Sequence, residues 1–140
     1  PGIRDPLWSR GLGDVYKRQV HAYIVHSDDG MDEISPFEKT NIVELKDNNI
    51  IQFSIDPKNL GLNSTNRETL KGKNAKYNSE KIIEIYKGKN NEFSQSVALN
   101  VAAGLIVSGK ENNFKTAFEN ATEHLNSGKV FNHLTKIQSN

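Results

Sequence analysis

The chain has 140 residues, 35% of them hydrophobic and 25% charged, with a formal net charge of +1. That is one domain's worth of sequence, and the near-neutral balance gives no general reason to expect nucleic acid or an anionic membrane as partner. Cysteine is absent, which excludes a disulfide scaffold, a thiolate zinc site, an iron–sulfur cluster and a cysteine nucleophile. No apolar run approaches the ~20 residues that span a bilayer. The first residues also lack the apolar stretch of a secretory signal, so a soluble cytoplasmic protein is expected.

Residues 1–19, PGIRDPLWSRGLGDVYKRQ, differ in composition from the rest of the chain and hold the single tryptophan, Trp8. No period of 2 or 3.6 persists in them, and they read as a linker or adaptor-derived segment rather than native protein. They carry four Arg/Lys and two Asp, which leaves residues 20–140 with 14 basic and 15 acidic side chains and a charge of −1.

Val20–His26 (VHAYIVH) is rich in β-branched and aromatic residues and predicts a buried strand. An acidic turn follows, with Asp28, Asp29, Asp32 and Glu33 around Gly30. Ser35 precedes Pro36, which pushes the chain back to an extended form. The alternating runs 42–45 and 50–55 flank Lys46-Asp47-Asn48-Asn49. Asp and Asn tolerate positive φ, so this is a hairpin signal. Asp56-Pro57 ends the second run, because proline cannot donate to a ladder.

Helices are expected from there on. Ser79 is placed as the cap of a short helix that buries Ile82, Ile83 and Tyr86 and stops at Gly88. Ser94 is placed as the cap of a second, with Val97, Val101 and Leu105 at i, i+4 and i+8. Ala98, Ala102, Ala103 and Gly104 keep that helix slim enough for close packing. Phe114, Ala117, Phe118, Ala121 and Leu125 form the stripe of a third, and Val130, Leu134 and Ile137 share one face of a last short one. Gly109 and Gly128 stand where helices end. The order strand, acidic loop, hairpin, then three or four helices is an α/β layer arrangement with little sheet for so much helix.

The densest chemistry is the acidic loop. Four carboxylates in residues 28–33 repel one another unless something positive sits among them. Mg²⁺ takes oxygen ligands and commonly bridges one or two carboxylates to substrate phosphates. A solvated surface turn accounts for the same composition. The spacing is not that of an EF-hand. Residues 104–110, GLIVSGK, match a phosphate-binding pattern, but Glu111 stands where Ser or Thr should bind Mg²⁺ and the intervening residues are an apolar helix end. His21, His26, His124 and His133 show no metal-ligand spacing, and no G-x-S-x-G elbow is present.

Residues 25–35, VHSDDGMDEIS, resemble the VHG-x-DG-x-DEIS segment of the anthranilate phosphoribosyltransferases. Glu44-Leu45-Lys46, Ile55-Asp56-Pro57, Gly61-Leu62, Leu70-Lys71-Gly72 and Asn78 follow in that family's order. Residues 97–110, VALNVAAGLIVSGK, resemble its alanine-rich helix, and Ser127-Gly128-Lys129 with Leu134 its C-terminus. The resemblance implies the C-terminal part of the α/β domain of a nucleoside phosphorylase/phosphoribosyltransferase-like fold. It implies a Mg²⁺-dependent reaction in tryptophan biosynthesis, in which phosphoribosyl diphosphate gives its ribosyl group to anthranilate and releases diphosphate. Asp32 and Glu33 match the family's magnesium ligands.

Ser27 departs from the family's glycine, and Lys73-Asn74 from its Gly-Asp. The family's glycine-rich diphosphate loop, its Lys-His-Gly-Asn stretch, its anthranilate-binding residues and its helical dimerisation domain lie upstream of the matched segment. The expectation is therefore a fragment that is inactive alone, with a homodimeric parent. Two other readings stay open: a nucleic-acid-binding relative of the same fold, against which the −1 charge and the intact Asp32-Glu33 pair speak, and a nucleoside phosphorylase-like enzyme.

Overall fold

The computed structural model describes residues 21–139. The segment read as non-native, residues 1–19, lies outside the described residues. Strand β1 (His21–Ser27) leads through the acidic loop to β2 (Thr40–Lys46), which pairs antiparallel with it, and β2 pairs antiparallel with β3 (Asn49–Ile55). The sheet order is β1-β2-β3. Two residues, Asp47 (φ 50°) and Asn48 (φ 64°), turn the β2–β3 hairpin. Positive φ at both matches the right-handed twist of the strands they join, as the Asp/Asn content predicts.

Two short 3-10 turns follow, Pro57–Leu60 and Arg67–Leu70. Asp56 caps the first by accepting from Lys58 N, and Pro57 occupies its first position. Four helices complete the chain: α1 (Ala75–Tyr86), α2 (Glu92–Val107), α3 (Phe114–Asn126) and α4 (Lys129–Gln138). Asparagine opens three of them. Asn74, Asn91 and Asn113 each accept from the backbone N–H three residues on, satisfying a donor the helix leaves free.

Both expected serine caps are corrected. Ser79 lies inside α1 and donates to Lys76 O at 2.8 Å. Ser94 is the reciprocal partner of Asn91, donating its backbone N–H to Asn91 Oδ1 and accepting from Asn91 N. The buried face of α1 is also shifted. Ile85 is the core residue, while Ile82 is 47% exposed.

In α2 the small side chains Ala98 and Ala102 face inward, whereas Gly104 is exposed. Ala98, Leu99, Ala102 and Ile106 are buried, whereas Val97 and Val101 of the expected stripe point out. Close approach explains this: α2 packs along α3, whose buried face is Ala117, Phe118, Ala121 and Leu125 as predicted. Together with Ile34, Ile42, Ile55 and Leu62 from the sheet side, these residues make one core. Burying a Leu or Ile fully is worth about 1.5–3 kcal/mol, so this seam holds the sheet to the helices.

Strand β1 is half-buried rather than buried. Tyr23, Val25 and Ser27 face the core, and Ile24 is 71% exposed. Ile24 stands opposite Val43, and Leu45 opposite both Ala22 and Ile50, so one end of the outer sheet face is apolar, while His26, Asn41 and Ser54 make the other end polar. Among the described residues no helix is long and apolar enough to cross a membrane.

Candidate functional site

The acidic loop begins where β1 ends. Ser27 O accepts from Gly30 N at 2.8 Å and Ser27 N donates to Met31 O at 3.0 Å, closing a tight turn. Gly30 sits at φ +86°, a backbone region that L side chains rarely adopt. The four carboxylates within this turn divide into two pairs.

Asp29 is committed internally, whereas Asp28 is exposed and takes a single bond. Asp28 accepts from Asn41 Nδ2 at 2.8 Å. Asp29 accepts from Ser35 Oγ at 2.8 Å and from Met31 N at 3.1 Å, and its Oδ2 lies 3.6 Å from Arg67 Nε. Burial pushes the Asp29 carboxyl up, but the hydrogen bonds from Ser35, Met31 N and Ser27, with the Arg67 cation, outweigh that and hold it below its ordinary range. Asp29 thus works to staple the loop.

Asp32 and Glu33 are both exposed, and among the described residues neither side chain takes part in a hydrogen bond or ion pair. Two adjacent, uncommitted carboxylates on a braced turn suit a hard divalent cation that completes its shell with water and a ligand's phosphates. They do not suit an all-protein cage, and no group of three or more metal-binding side chains exists among the described residues. A cleft of about 380 Å³ opens beside the loop, lined by Met31, Phe37, Arg67, Glu68, Leu70 and Lys71. Arg67 and Lys71 bring cations to its wall, each already facing a carboxylate: Asp29 lies 3.6 Å from Arg67 Nε, and Glu68 Oε2 lies 2.7 Å from Lys71 Nζ.

Beyond Glu33 the chain dives into the core at Ile34, which is fully buried. Asn100 of α2 holds it from both sides: Oδ1 accepts from Ile34 N at 3.0 Å, and Nδ2 donates to Ile34 O at 3.2 Å. Sequence reasoning missed Asn100 and Arg67. The signal for Asn100 was present, since a lone asparagine inside the apolar run VALNVAAGLIV is unfavourable in a helix unless its amide is occupied.

The histidines do not join the site. His26 is exposed. At the other end of the strand, His21 Nε2 and Glu44 Oε1 lie 2.6 Å apart, both nearly buried. Burial and then the Glu44 carboxylate push the neighbouring Tyr23 phenol up to about 12. This end borders the larger cleft, about 580 Å³, with Lys46, Lys110 and Glu111 on its walls. The GLIVSGK match is a helix ending, with Ser108 capping α2 and Gly109 left-handed at φ 71°. No phosphate loop forms there.

The family model described as "Glycosyl transferase family, a/b domain" matches residues 10–131. The anthranilate phosphoribosyltransferase of Pelagibacter ubique (strain HTCC1062) is 49% identical over 118 residues, which cover 84% of this chain and 36% of that protein. That of Azospirillum brasilense is 36% identical over 141 residues, covering 97% and 40%. Among solved structures, anthranilate phosphoribosyltransferase from Thermus thermophilus superposes with a TM-score of 0.76 at 25% identity, covering 94% of this chain and 39% of that one. The Saccharomyces cerevisiae enzyme in complex with PRPP and Mg shares the fold, with a TM-score of 0.69 at 24% identity over 81% of this chain and 33% of that one. The chain spans 36–41% of the length of the curated relatives it matches. With 122 of its residues inside the family model's match, the chain belongs to the glycosyl transferase family, a/b domain.

Proposed function

We propose that this chain forms the metal-side segment of an anthranilate phosphoribosyltransferase, the enzyme that joins phosphoribosyl diphosphate to anthranilate with loss of diphosphate. The observation that carries this is the division of the acidic loop. Asp29 is spent on folding it, Asp28 takes one bond from Asn41, and among the described residues Asp32 and Glu33 have no partner at its tip. The names of the curated relatives supply the substrates.

In this reading Asp32 and Glu33 would hold Mg²⁺, which supplies charge to offset the anion that grows on a departing diphosphate. This chain's part is to hold two carboxylates at a fixed place. The Asp29 staple fixes one side of the tip and the buried Ile34 the other. Arg67 and Lys71, exposed and paired with Asp29 and Glu68, would offer cations to an anionic substrate in the cleft beside Met31. The transfer needs no covalent nucleophile from this segment.

Positioning two substrates takes more than one loop. The isolated 140-residue chain is accordingly expected to show no transfer. A chimera of the Pelagibacter relative, with its matching 118-residue stretch exchanged for this chain's, is expected to make phosphoribosylanthranilate. A well-folded chimera without turnover overturns the proposal, as does turnover by the isolated chain.

A further inference from the structure

We propose that Asn100 is a positioning residue for the Asp32–Glu33 pair, an inference that rests on the metal reading above. The Asn100 amide makes three hydrogen bonds. Two go to the N–H and C=O of Ile34, and the third, Nδ2 to Ser96 O at 2.9 Å, runs back to its own helix. The third bond locks the side chain's rotamer. The first two make the side chain act as a short strand edge for one residue of the loop.

What this fixes is specific. The Ile34 N–H belongs to the peptide plane that joins Glu33 to Ile34. Holding its direction therefore sets the Glu33 carbonyl and limits where the Glu33 Cα can lie. On the other side of the tip, Asp29 takes the N–H of Met31, which belongs to the plane joining Gly30 to Met31. Only Met31, Asp32 and Glu33 lie between these two anchors. The anchors differ in what they are tied to. Asp29 bonds within the loop itself, to Ser35 and Met31, and its Arg67 partner is 53% exposed. Asn100 ties the tip to α2, whose neighbours Ala98, Leu99 and Ala102 are at most 1% exposed. Packed interiors do not yield continuously, so α2 is the rigid frame to which the two carboxylates are referenced. Outer partners of metal ligands typically change metal affinity by about 10–100-fold when removed.

The test is made by NMR on the ¹⁵N-labelled chain, or on the segmentally labelled chimera if the isolated chain gives no dispersed spectrum. Without metal, Asn100→Ala is expected to drop the backbone order parameters of Asp32 and Glu33 from roughly 0.85 to below about 0.6, while those of Leu99 and Ala102 stay rigid. With Mn²⁺ as the probe, the concentration that half-broadens the Asp32 and Glu33 amides is expected to rise at least ~10-fold. Asn100→Asp serves where the alanine variant fails to fold. It keeps an acceptor for Ile34 N–H but has no donor for Ile34 O, and an intermediate shift is expected. A residue that merely supported the fold would lower the melting temperature and move neither readout. A folded variant with unchanged order parameters and unchanged Mn²⁺ response overturns the inference. Mn²⁺ that leaves both amides sharp in the unaltered chain overturns the metal reading and the inference with it, and is told apart because the metal-free order parameters still respond to Asn100→Ala.

Discussion

Removing the Asp29 carboxylate separates the folding half of the acidic loop from its free half. Asp29 has a side chain only 2% exposed and accepts from Ser35 Oγ and Met31 N. In Asp29→Ala the Ser35 hydroxyl, on a residue 1% exposed, loses its acceptor while still receiving Phe37 N at 3.0 Å. A hydrogen bond to a charged group contributes about 1.5–3 kcal/mol, and a stranded buried donor costs about 1–3. The Arg67 contact adds little, because that side chain is half in solvent and screened. The expected loss is therefore about 2–4 kcal/mol for Asp29→Ala and about 1 for Asp29→Asn, which keeps the shape and the Met31 bond. Asp32→Ala and Glu33→Ala, both exposed and without described partners, should stay within about 0.5 kcal/mol of the parent. Urea denaturation followed by circular dichroism reads all four. Equal losses at positions 29 and 32, or a negligible loss in Asp29→Ala, would refute the division of the loop on which the site rests. The sign of the pH effect follows from the same geometry. The Asp29 carboxyl is lowered in the fold, so its contribution is present above its unfolded value of about 3.9 and is lost as pH falls through the native one. Asp29→Asn should flatten that acid limb.

Other outcomes follow from single contacts. Gly88 has φ +92°, and a Cβ there would stand 2.7 Å from Asn126 O. Gly88→Ala should cost about 2–4 kcal/mol, against about 1 at Gly109, where φ is +71° but the space is open; equal midpoint shifts in urea would contradict this. The Tyr23 phenol, pushed up to about 12 by burial and Glu44, contributes stability that is complete below its unfolded value near 10 and declines as pH rises through 12. A ring-carbon NMR titration of Tyr23 with a midpoint near 10 would count against its packing.

Much of the fold was legible because local chemistry and tertiary need agreed. The Asp47-Asn48 turn, the Pro57 stop and the Phe114–Leu125 stripe each follow from one physical rule that the core reinforces. The misplacements share a cause as well. Ser79 and Ser94 are good capping residues, but Asn74 and Asn91 stand earlier in the chain and cap the first available turn. The Val97–Val101 stripe looked like the core face because valine outranks alanine in hydrophobicity. Packing two helices closely rewards Ala98 and Ala102 instead, and Val97 and Val101 are left 37% and 43% exposed. At the site, the acidic loop was legible from composition and resemblance. Which of the four carboxylates is free was not, because it depends on Ser35, Asn41 and Arg67, brought in by the turn and the chain beyond it. Asn100 is 66 residues from Ile34, a separation that no local pattern bridges. The outer sheet face was equally hard to read, because the alternation that buries one side of each strand does not say what covers the other. Among the described residues, Ile24 and Ile50 stand exposed there.

The most direct test of the central claim is transfer by the Pelagibacter chimera with its acidic loop altered two ways. Asp32→Ala combined with Glu33→Ala should lower turnover by at least ~100-fold, with no loss of folding stability. Asp28→Ala, whose partner is the exposed Asn41, should keep turnover within ~10-fold. Full turnover in the double variant, or equal losses in both, would contradict the assignment of Asp32 and Glu33 as the metal-holding pair.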